Sequence, residues 1–314
     1  MSKASHSLII SVFNLSNTVK TVYQDLTKAM GRLPGSYDIV FVDDASTDNT
    51  YEQLVELAQT DSNLRVIKMR TSFGEAAALD AGLRHSTGER IVFISGRVRV
   101  NVAQIPDLVN ALDLGNDLVI GRRYPRRDAL MNRWISGLFN WIVSRICKVR
   151  LRDMNSGVFA STRAVFDKIA VYGDLNNFIA VLASQQGYQL AEVDIEQLSG
   201  TFRMSRYPKE YVSRLLDIIT VFFLTRYSKK PIHFMGFMGA LFFLIGLGIE
   251  IYLFIYRILQ LGPIAGRPLI ILGALLLVIG IQLISIGLLG EMIIFTHAGD
   301  IEEYNIETIL NEDS

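Results

Sequence analysis

Over its first two thirds the chain alternates short apolar runs with longer amphipathic stretches. Leu8-Ile-Ile-Ser-Val-Phe13 predicts a buried strand that ends at Asn14, with a helix from about Ser16 to Met30. After a loop at Gly31–Ser36, Ile39–Val42 predicts a second strand that runs straight into Asp43-Asp44 and a turn. A helix from Thr50 to about Gln59 follows, with Glu52 in its first turn and Thr47 or Asp48 able to cap it. Leu64–Met69 is a third strand, Gly74–Leu83 an alanine-rich helix, and Arg90–Ile94 a fourth strand. Strands alternating with helices of this length predict an α/β fold, a doubly wound parallel sheet with helices on both faces.

From Pro231 to Phe295 nearly all charge disappears. Pro231–Tyr256 and Pro268–Phe295 each exceed the ~20 apolar residues that cross a bilayer, and the short turn at Gly262–Arg267 makes them a hairpin. The tail then returns to the side on which the hairpin starts. Arg226, Lys229 and Lys230 assign that side to the cytoplasm, while Arg257 and Arg267 on the far loop pull the other way. Gly236, Gly239, Ala240, Gly246 and Gly248 allow close helix packing. Glu250 either snorkels from a helix end or meets a partner within the membrane. Before the hairpin, Glu210–Tyr227 is amphipathic. The organisation is therefore an α/β domain (1–207), an amphipathic juxtamembrane helix (208–230), a transmembrane hairpin (231–296) and an acidic tail (297–314).

Composition agrees: 314 residues that are 50% hydrophobic, with a mean hydropathy of +0.30, are too apolar for a soluble protein of this size. The formal net charge is zero, so no global basic field points to nucleic acid. The single cysteine, Cys147, excludes an internal disulfide and reads as a small buried hydrophobe. Arginines cluster from Arg122 to Arg152 around Trp134, Phe139 and Trp141. Such a run is either a solvated face or an element suited to lipid headgroups. The N-terminus is too short and too broken for a signal peptide.

Taken singly, Asp43-Asp44 reads more readily as an ordinary turn than as a ligand site at the carboxyl end of a strand. Its company is more specific. Val12-Phe13-Asn14, Val42-Asp43-Asp44-Ala45-Ser46-Thr47-Asp48 and Phe73-Gly74 with Ala77, Gly82 and Gly88 resemble the family-2 glycosyltransferases with a GT-A-like domain. Asp153-Met-Asn-Ser-Gly157-Val-Phe159, Glu196, Ser205-Arg206-Tyr207 and the Gly280–Glu291 segment are similar to one branch of them. That branch contains the polyprenyl-phosphate sugar transferases, dolichyl-phosphate mannose synthase and the bactoprenol glucosyltransferases among them. The resemblance runs from about Ser7 to the C-terminus and implies sugar transfer from a nucleotide-sugar donor to a polyprenyl phosphate for cell-surface glycan. It implies an inner (cytoplasmic) membrane location with the α/β domain in the cytoplasm; a homo-oligomer is left open. Val12, Asn14, Asp43, Asp44 and Ser95 would line the donor site. Asp153 would orient groups near the reacting centre, with a plain turn aspartate as the alternative. Ser205, Arg206 and Tyr207, with Arg203, would take the acceptor phosphate.

One departure stands out. At the end of the fourth strand the family carries Asp-x-Asp, whose carboxylates hold Mg²⁺ or Mn²⁺, and here the chain reads Ser95-Gly96-Arg97-Val98-Arg99. Hard cations need oxygen ligands, so no metal site is expected. Arg97 stands where the second aspartate would be, and strand alternation would place Arg99 on the same face. Arg97 is therefore a candidate catalytic group, taking over the charge work of the metal on the leaving diphosphate. Ser11, Leu15, Thr71-Ser72, Gln197, Leu198 and Gly200 also depart from the family pattern. The competing reading is a catalytically decayed relative that binds or assembles other members of a lipid-linked glycan pathway.

Overall fold

The structure, a computed structural model, describes residues 4–96, 98–126, 137, 144, 151–169, 178–198, 231–264 and 267–296. The chain divides into two compact units, Met1–Val221 and Phe222–Ser314.

In the first unit the described elements are β1 (His6–Val12), α1 (Val19–Met30), β2 (Tyr37–Asp43), α2 (Thr50–Thr60), β3 (Leu64–Lys68), α3 (Glu75–Arg84) and β4 (Arg90–Ser95). They continue with α4 (Ile105–Asp113), β5 (Leu118–Arg123), β6 (Val158–Thr162), α5 (Arg163–Lys168), α6 (Ile179–Gln185) and β7 (Leu190–Ile195). The seven strands form one sheet in the order β3-β2-β1-β4-β6-β5-β7. Successive side chains on a strand face opposite ways, and both faces are filled. Leu8, Ile10, Phe41 and Val92 join Leu26, Leu54 and Leu108 in one core, while Ile9, Val40, Val42 and Phe93 join Leu79 and Val181 in the other. That double burial is why the strands read as unbroken apolar runs. Phe41 and Phe93 are essentially fully buried, and truncating such a ring typically costs about 3–5 kcal/mol.

The strands and helices predicted between Leu8 and Ile94 are all present, but the all-parallel sheet needs correction. β6 runs antiparallel to both β4 and β5. The chain reaches β6 through residues 151–157, which lie at the carboxyl edge of the other strands, so it can only descend. α1 also starts three residues later than predicted, because the Leu15 carbonyl first accepts from Thr18 and Val19 in a turn.

The second unit holds α7 (Pro231–Ile258) and α8 (Pro268–Thr296), both long and apolar enough to cross a membrane. Large side chains such as Leu244, Phe254, Ile271 and Ile281 point outward, whereas a core helix of a soluble protein would bury them. The pair packs antiparallel through glycines. A Cβ on Gly239 would lie 2.6 Å from the Gly280 carbonyl oxygen, and one on Gly280 would lie 2.7 Å from that of Gly239. Glu250 does not snorkel: its Oε1 lies against Gly273, buried and with no hydrogen-bond partner among the described residues. On the connecting turn the Arg267 guanidinium covers the Tyr256 ring at 4.3 Å, and the Tyr256 hydroxyl donates to the Leu261 carbonyl. The amphipathic stretch Glu210–Tyr227, the Trp134–Val143 run apart from Gly137, Cys147 and the acidic tail lie outside the described residues.

Candidate functional site

β1, β2 and β4 end flush, with Val12 beside Asp43 and Ser11 beside Ser95. β1 lies between β2 and β4, so connections leave in opposite directions on its two sides. Such a point opens a crevice at the carboxyl edge of a sheet.

Asn14 and Ala45 both adopt positive φ, at 53° and 61°. Asparagine tolerates that conformation; alanine pays for it, and strain of this kind collects at ligand sites. The turn is held from both sides. Asn14 Oδ1 accepts from the Thr47 amide at 2.8 Å, and the Asn14 amide donates to Ser46 Oγ at 2.9 Å. The Ser46 hydroxyl donates to Asp43 Oδ1, as does its amide at 3.2 Å. Asp43 is fully buried, and its Oδ2 has no hydrogen-bond partner among the described residues. Such an acceptor is costly unless a ligand supplies the donor.

Asp44 serves the chain instead. Its carboxylate accepts from the Ser72 hydroxyl (2.7 Å), the Phe73 amide (2.7 Å) and the Gly74 amide (3.2 Å). It thus fixes the loop that opens α3 and is not turned toward a donor as the sequence suggested. Ser72 is one of the departures from the family pattern, and it is what completes this anchor.

Loop 72–74 delivers Glu75, in the first turn of α3, to the end of β4, where the Ser95 hydroxyl donates to its carboxylate. Glu75 was not singled out in the sequence, although it directly follows the Phe73-Gly74 pair of the resemblance. Gly157, at φ 73°, sits over the same point: a Cβ there would lie 3.0 Å from that of Ser95, and the Gly157 carbonyl accepts the Ser95 amide at 2.8 Å.

Asp153 is 2% exposed and bound bidentately by Arg123 at 2.8 and 2.9 Å. Arg123 also donates to the Asn155 carbonyl, while Glu192 Oε1 accepts the Asp153 amide at 2.9 Å. These contacts clamp segment 153–157 to β5 and β7. The Arg123 partner could have been anticipated only from topology, since the two residues belong to elements that become neighbours when β6 enters the sheet.

Beyond Ser95 the strand does not continue. The Val98 amide donates to the Ser95 carbonyl at 3.1 Å, closing a turn, so simple alternation does not relate Arg97 to Arg99. Arg99 is exposed, and its carbonyl accepts from Leu198. Arg97, Arg203, Ser205, Arg206 and Tyr207 lie outside the described residues.

Around the end of β4 three of the expected groups are not available to a divalent cation. Ser95 offers a neutral hydroxyl already donating to Glu75, Asp44 is committed to its loop and Asp153 to Arg123. Among the described residues no three His, Cys, Asp or Glu side chains are grouped to hold a metal.

Asp48 supports the same edge. Burial opposes its ionisation, but hydrogen bonds from Thr50 and the Ser16 amide outweigh this and hold its carboxyl down at about 2, against an ordinary 3.8. A carboxyl depressed on folding stabilises the fold fully above its unfolded value and stops doing so as pH falls through its folded value. The expected contribution, about 1 kcal/mol given partial exposure, should therefore vanish between pH 4 and pH 2. Asp48→Asn should show a flatter acid limb in chemical denaturation across that window; an unchanged limb would remove the assignment.

A Glycosyl transferase family 2 model matches residues 7–172, just over half of the chain. The dodecaprenyl-phosphate galacturonate synthase of Rhizobium johnstonii is 28% identical over 300 residues, covering 94% of this chain and 89% of that one. Among solved structures, the glucosyl-3-phosphoglycerate synthase of Mycobacterium tuberculosis with Mn²⁺, UDP and glucosyl-3-phosphoglycerate superposes with a TM-score of 0.52. It is 18% identical, over 71% of this chain and 80% of that one. A Pyrobaculum calidifontis mannosyltransferase with GDP-mannose and Mn²⁺ gives 0.50 at 17% identity, over 71% and 64%. These likenesses give the sheet a glycosyltransferase fold. With the family model matched from β1 through the clamped segment and α5, the chain belongs to glycosyl transferase family 2.

Proposed function

We propose that this glycosyltransferase moves a sugar from a nucleotide-sugar donor to a polyprenyl phosphate at the surface of a membrane, as a step in cell-surface glycan assembly. The observation that carries the reading is that likeness to a synthase of a dodecaprenyl-phosphate sugar extends beyond the catalytic sheet and through the apolar hairpin. A soluble acceptor would give the hairpin no role.

The chemistry suits the residues. A phosphate oxygen of the lipid attacks the anomeric carbon, the bond from that carbon to the nucleoside diphosphate breaks, and the electron pair leaves on the diphosphate. A phosphate monoester with a second pKa of about 6 is largely dianionic at neutral pH, so no base is needed, and positioning with charge balance dominates. Asp43 Oδ2 accepts from the nucleoside, with the Val12 backbone and Asn14 as the adjoining wall. Arg97, with Arg99 beside it in sequence, meets the diphosphate. Arg203, Ser205, Arg206 and Tyr207 take the lipid phosphate through charge-assisted bonds, and Asp153 holds its segment in place.

Nucleotide sugars are made in the cytoplasm, so the sheet unit and the C-terminal tail belong on the cytoplasmic face of the inner membrane. Labelling of Ser314→Cys by an impermeant thiol reagent only after permeabilisation supports this; labelling in intact cells opposes it. Ser95 in place of a carboxylate favours the second reading, a decayed relative. Purified chain in polyprenyl-phosphate vesicles should convert a labelled nucleotide sugar, from a panel of sugars, into organic-extractable label. Nucleotide-sugar binding without transfer would favour the decayed relative instead.

A further inference from the structure

We propose that the turn joining α7 to α8 binds the phosphate group of an anionic phospholipid in the leaflet that the turn reaches, with Arg267 and Arg257 as its cationic groups. The assignment concerns the hairpin alone and is independent of which sugar or acceptor the sheet unit uses.

Helix length places the turn. From Pro231 to Tyr256, α7 rises about 38 Å at 1.5 Å per residue, whereas the hydrocarbon core of a bilayer is about 30 Å thick. With the start of α7 at one interface, Tyr256 and Arg257 stand at headgroup level on the other. Tyr252 and Tyr256 follow one another along the helix with ring centroids 6.2 Å apart, and tyrosines are enriched at such a boundary. The neighbouring side chains Ile258, Leu259 and Leu261 are each more than half exposed. Water is a poor medium for three adjacent apolar groups, and the border between headgroups and acyl chains is a good one.

Charge then says what the turn meets there. Arg257 and Arg267 are the only charged side chains between Glu250 and Glu291, so the stretch carries no carboxylate of its own. Glu250 does not neutralise them: it lies about 10 Å from Arg257 along the helix axis, and its Oε1 is turned into the helix pair against Gly273. Arg257 is exposed and has no ion pair among the described residues. Two guanidiniums without a counter-charge at headgroup level call for an anion from outside the chain, and lipid phosphate is the one at hand.

Arg267 is held ready for it. Its guanidinium lies over the Tyr256 ring at 4.3 Å, and Nη2 donates to Tyr256 Oη at 3.0 Å. That hydroxyl passes its own hydrogen to the Leu261 carbonyl at 2.8 Å, and the Arg267 amide donates to the Ile264 carbonyl at 3.3 Å. Gly262, at φ 147°, lets the chain close on this pair: a Cβ there would lie 3.2 Å from Tyr256 Oη. The tyrosine takes one of the five guanidinium N–H groups, and the others form a fork that matches two phosphate oxygens. Fixing the guanidinium beforehand lowers the ordering cost of binding. A phospholipid suits the turn better than free phosphate, because its acyl chains also cover Leu259 and Leu261.

The test uses phosphatidylglycerol and phosphatidylcholine that carry the same photoreactive group at the headgroup end of an acyl chain. The full chain is reconstituted in vesicles containing both lipids, and crosslinks are mapped on chymotryptic peptides by mass spectrometry. Peptides covering residues 257–267 should be labelled about fivefold more by phosphatidylglycerol. The double variant Arg257→Gln, Arg267→Gln should bring that ratio close to one, while labelling around Arg226–Lys230 keeps its preference. The substitutions leave the positive charges at the start of the hairpin in place, so they do not invert it. If the double variant does not reconstitute, each single variant should lower the ratio about twofold. Equal labelling by the two lipids in the wild type, a preference unmoved by the substitutions, or no labelling of the turn by either lipid overturns the assignment. A preference abolished by inorganic phosphate, but not by chloride at matched ionic strength, also overturns it and leaves a site for free phosphate instead.

Discussion

Replacing Asp153 with alanine is expected to destabilise the α/β unit by about 3–5 kcal/mol, because it breaks a nearly buried bidentate ion pair by removing one partner. The carboxylate is 3% exposed and the guanidinium 11%, so water cannot rescue either partner. The segment released is the one whose Gly157 carbonyl holds Ser95, and transfer should fall together with stability. Asp194→Ala is the control. It breaks the Arg122–Asp194 pair on the same strand pairing, but Asp194 is half exposed, so the loss should stay below about 1 kcal/mol. Denaturant unfolding of the full chain, with Asp153→Asn as an isosteric intermediate, reads both. If Asp153→Ala unfolds at the wild-type midpoint yet loses transfer, Asp153 acts on the reaction directly and the clamp is secondary.

Removing the cation at position 97 should have the largest effect on rate. A glycosyltransferase of this family must stabilise charge developing on a diphosphate, and Asp44 and Asp153 are committed elsewhere. A guanidinium can bond two phosphate oxygens at once, and loss of a single preorganised donor of this kind typically lowers turnover by about 10²–10³. Arg97→Ala should fall in that range with the midpoint of unfolding unchanged. Arg97→Lys should recover only part of it, since an ammonium lacks the fork. Wild-type transfer should persist through exhaustive chelation. Loss of transfer in EDTA with recovery on added Mn²⁺ would mean that a metal is held by residues beyond those described, and Arg97 would lose its role.

Four of the seven strands, β1 to β4, were legible because burial on both faces writes each as an apolar run, with the helices between them as 3.6-residue patterns, and Gly31–Ser36 and Ser46–Asn49 mark real turns; β5, β6 and β7 were not read from the sequence. β6 was not legible as antiparallel, since direction depends on which edge the chain occupies when it enters, and nothing local to Val158–Thr162 records that. The resemblance pointed to Asp43, Asp44 and Asp153 but not to the contacts they make. Asp44 and Asp153 look like ligand carboxylates until Ser72, Phe73 and Arg123, distant in sequence, are seen to consume their oxygens. Asp43 differs from its neighbour only in keeping Oδ2 without a partner, a property of packing. Glu250 was left open between snorkelling and an intramembrane partner for a similar reason: its direction toward Gly273 is set by the facing helix.

The most direct measurement of the account is mass spectrometry of the organic extract after the purified chain, in vesicles containing polyprenyl phosphate, meets a nucleotide sugar that it binds. The account predicts a new ion at the mass of polyprenyl phosphate plus one sugar residue, formed with stoichiometric release of nucleoside diphosphate and absent in Asp43→Ala. Release of free sugar with no lipid adduct, or bound nucleotide sugar that stays intact beside the lipid, would contradict it.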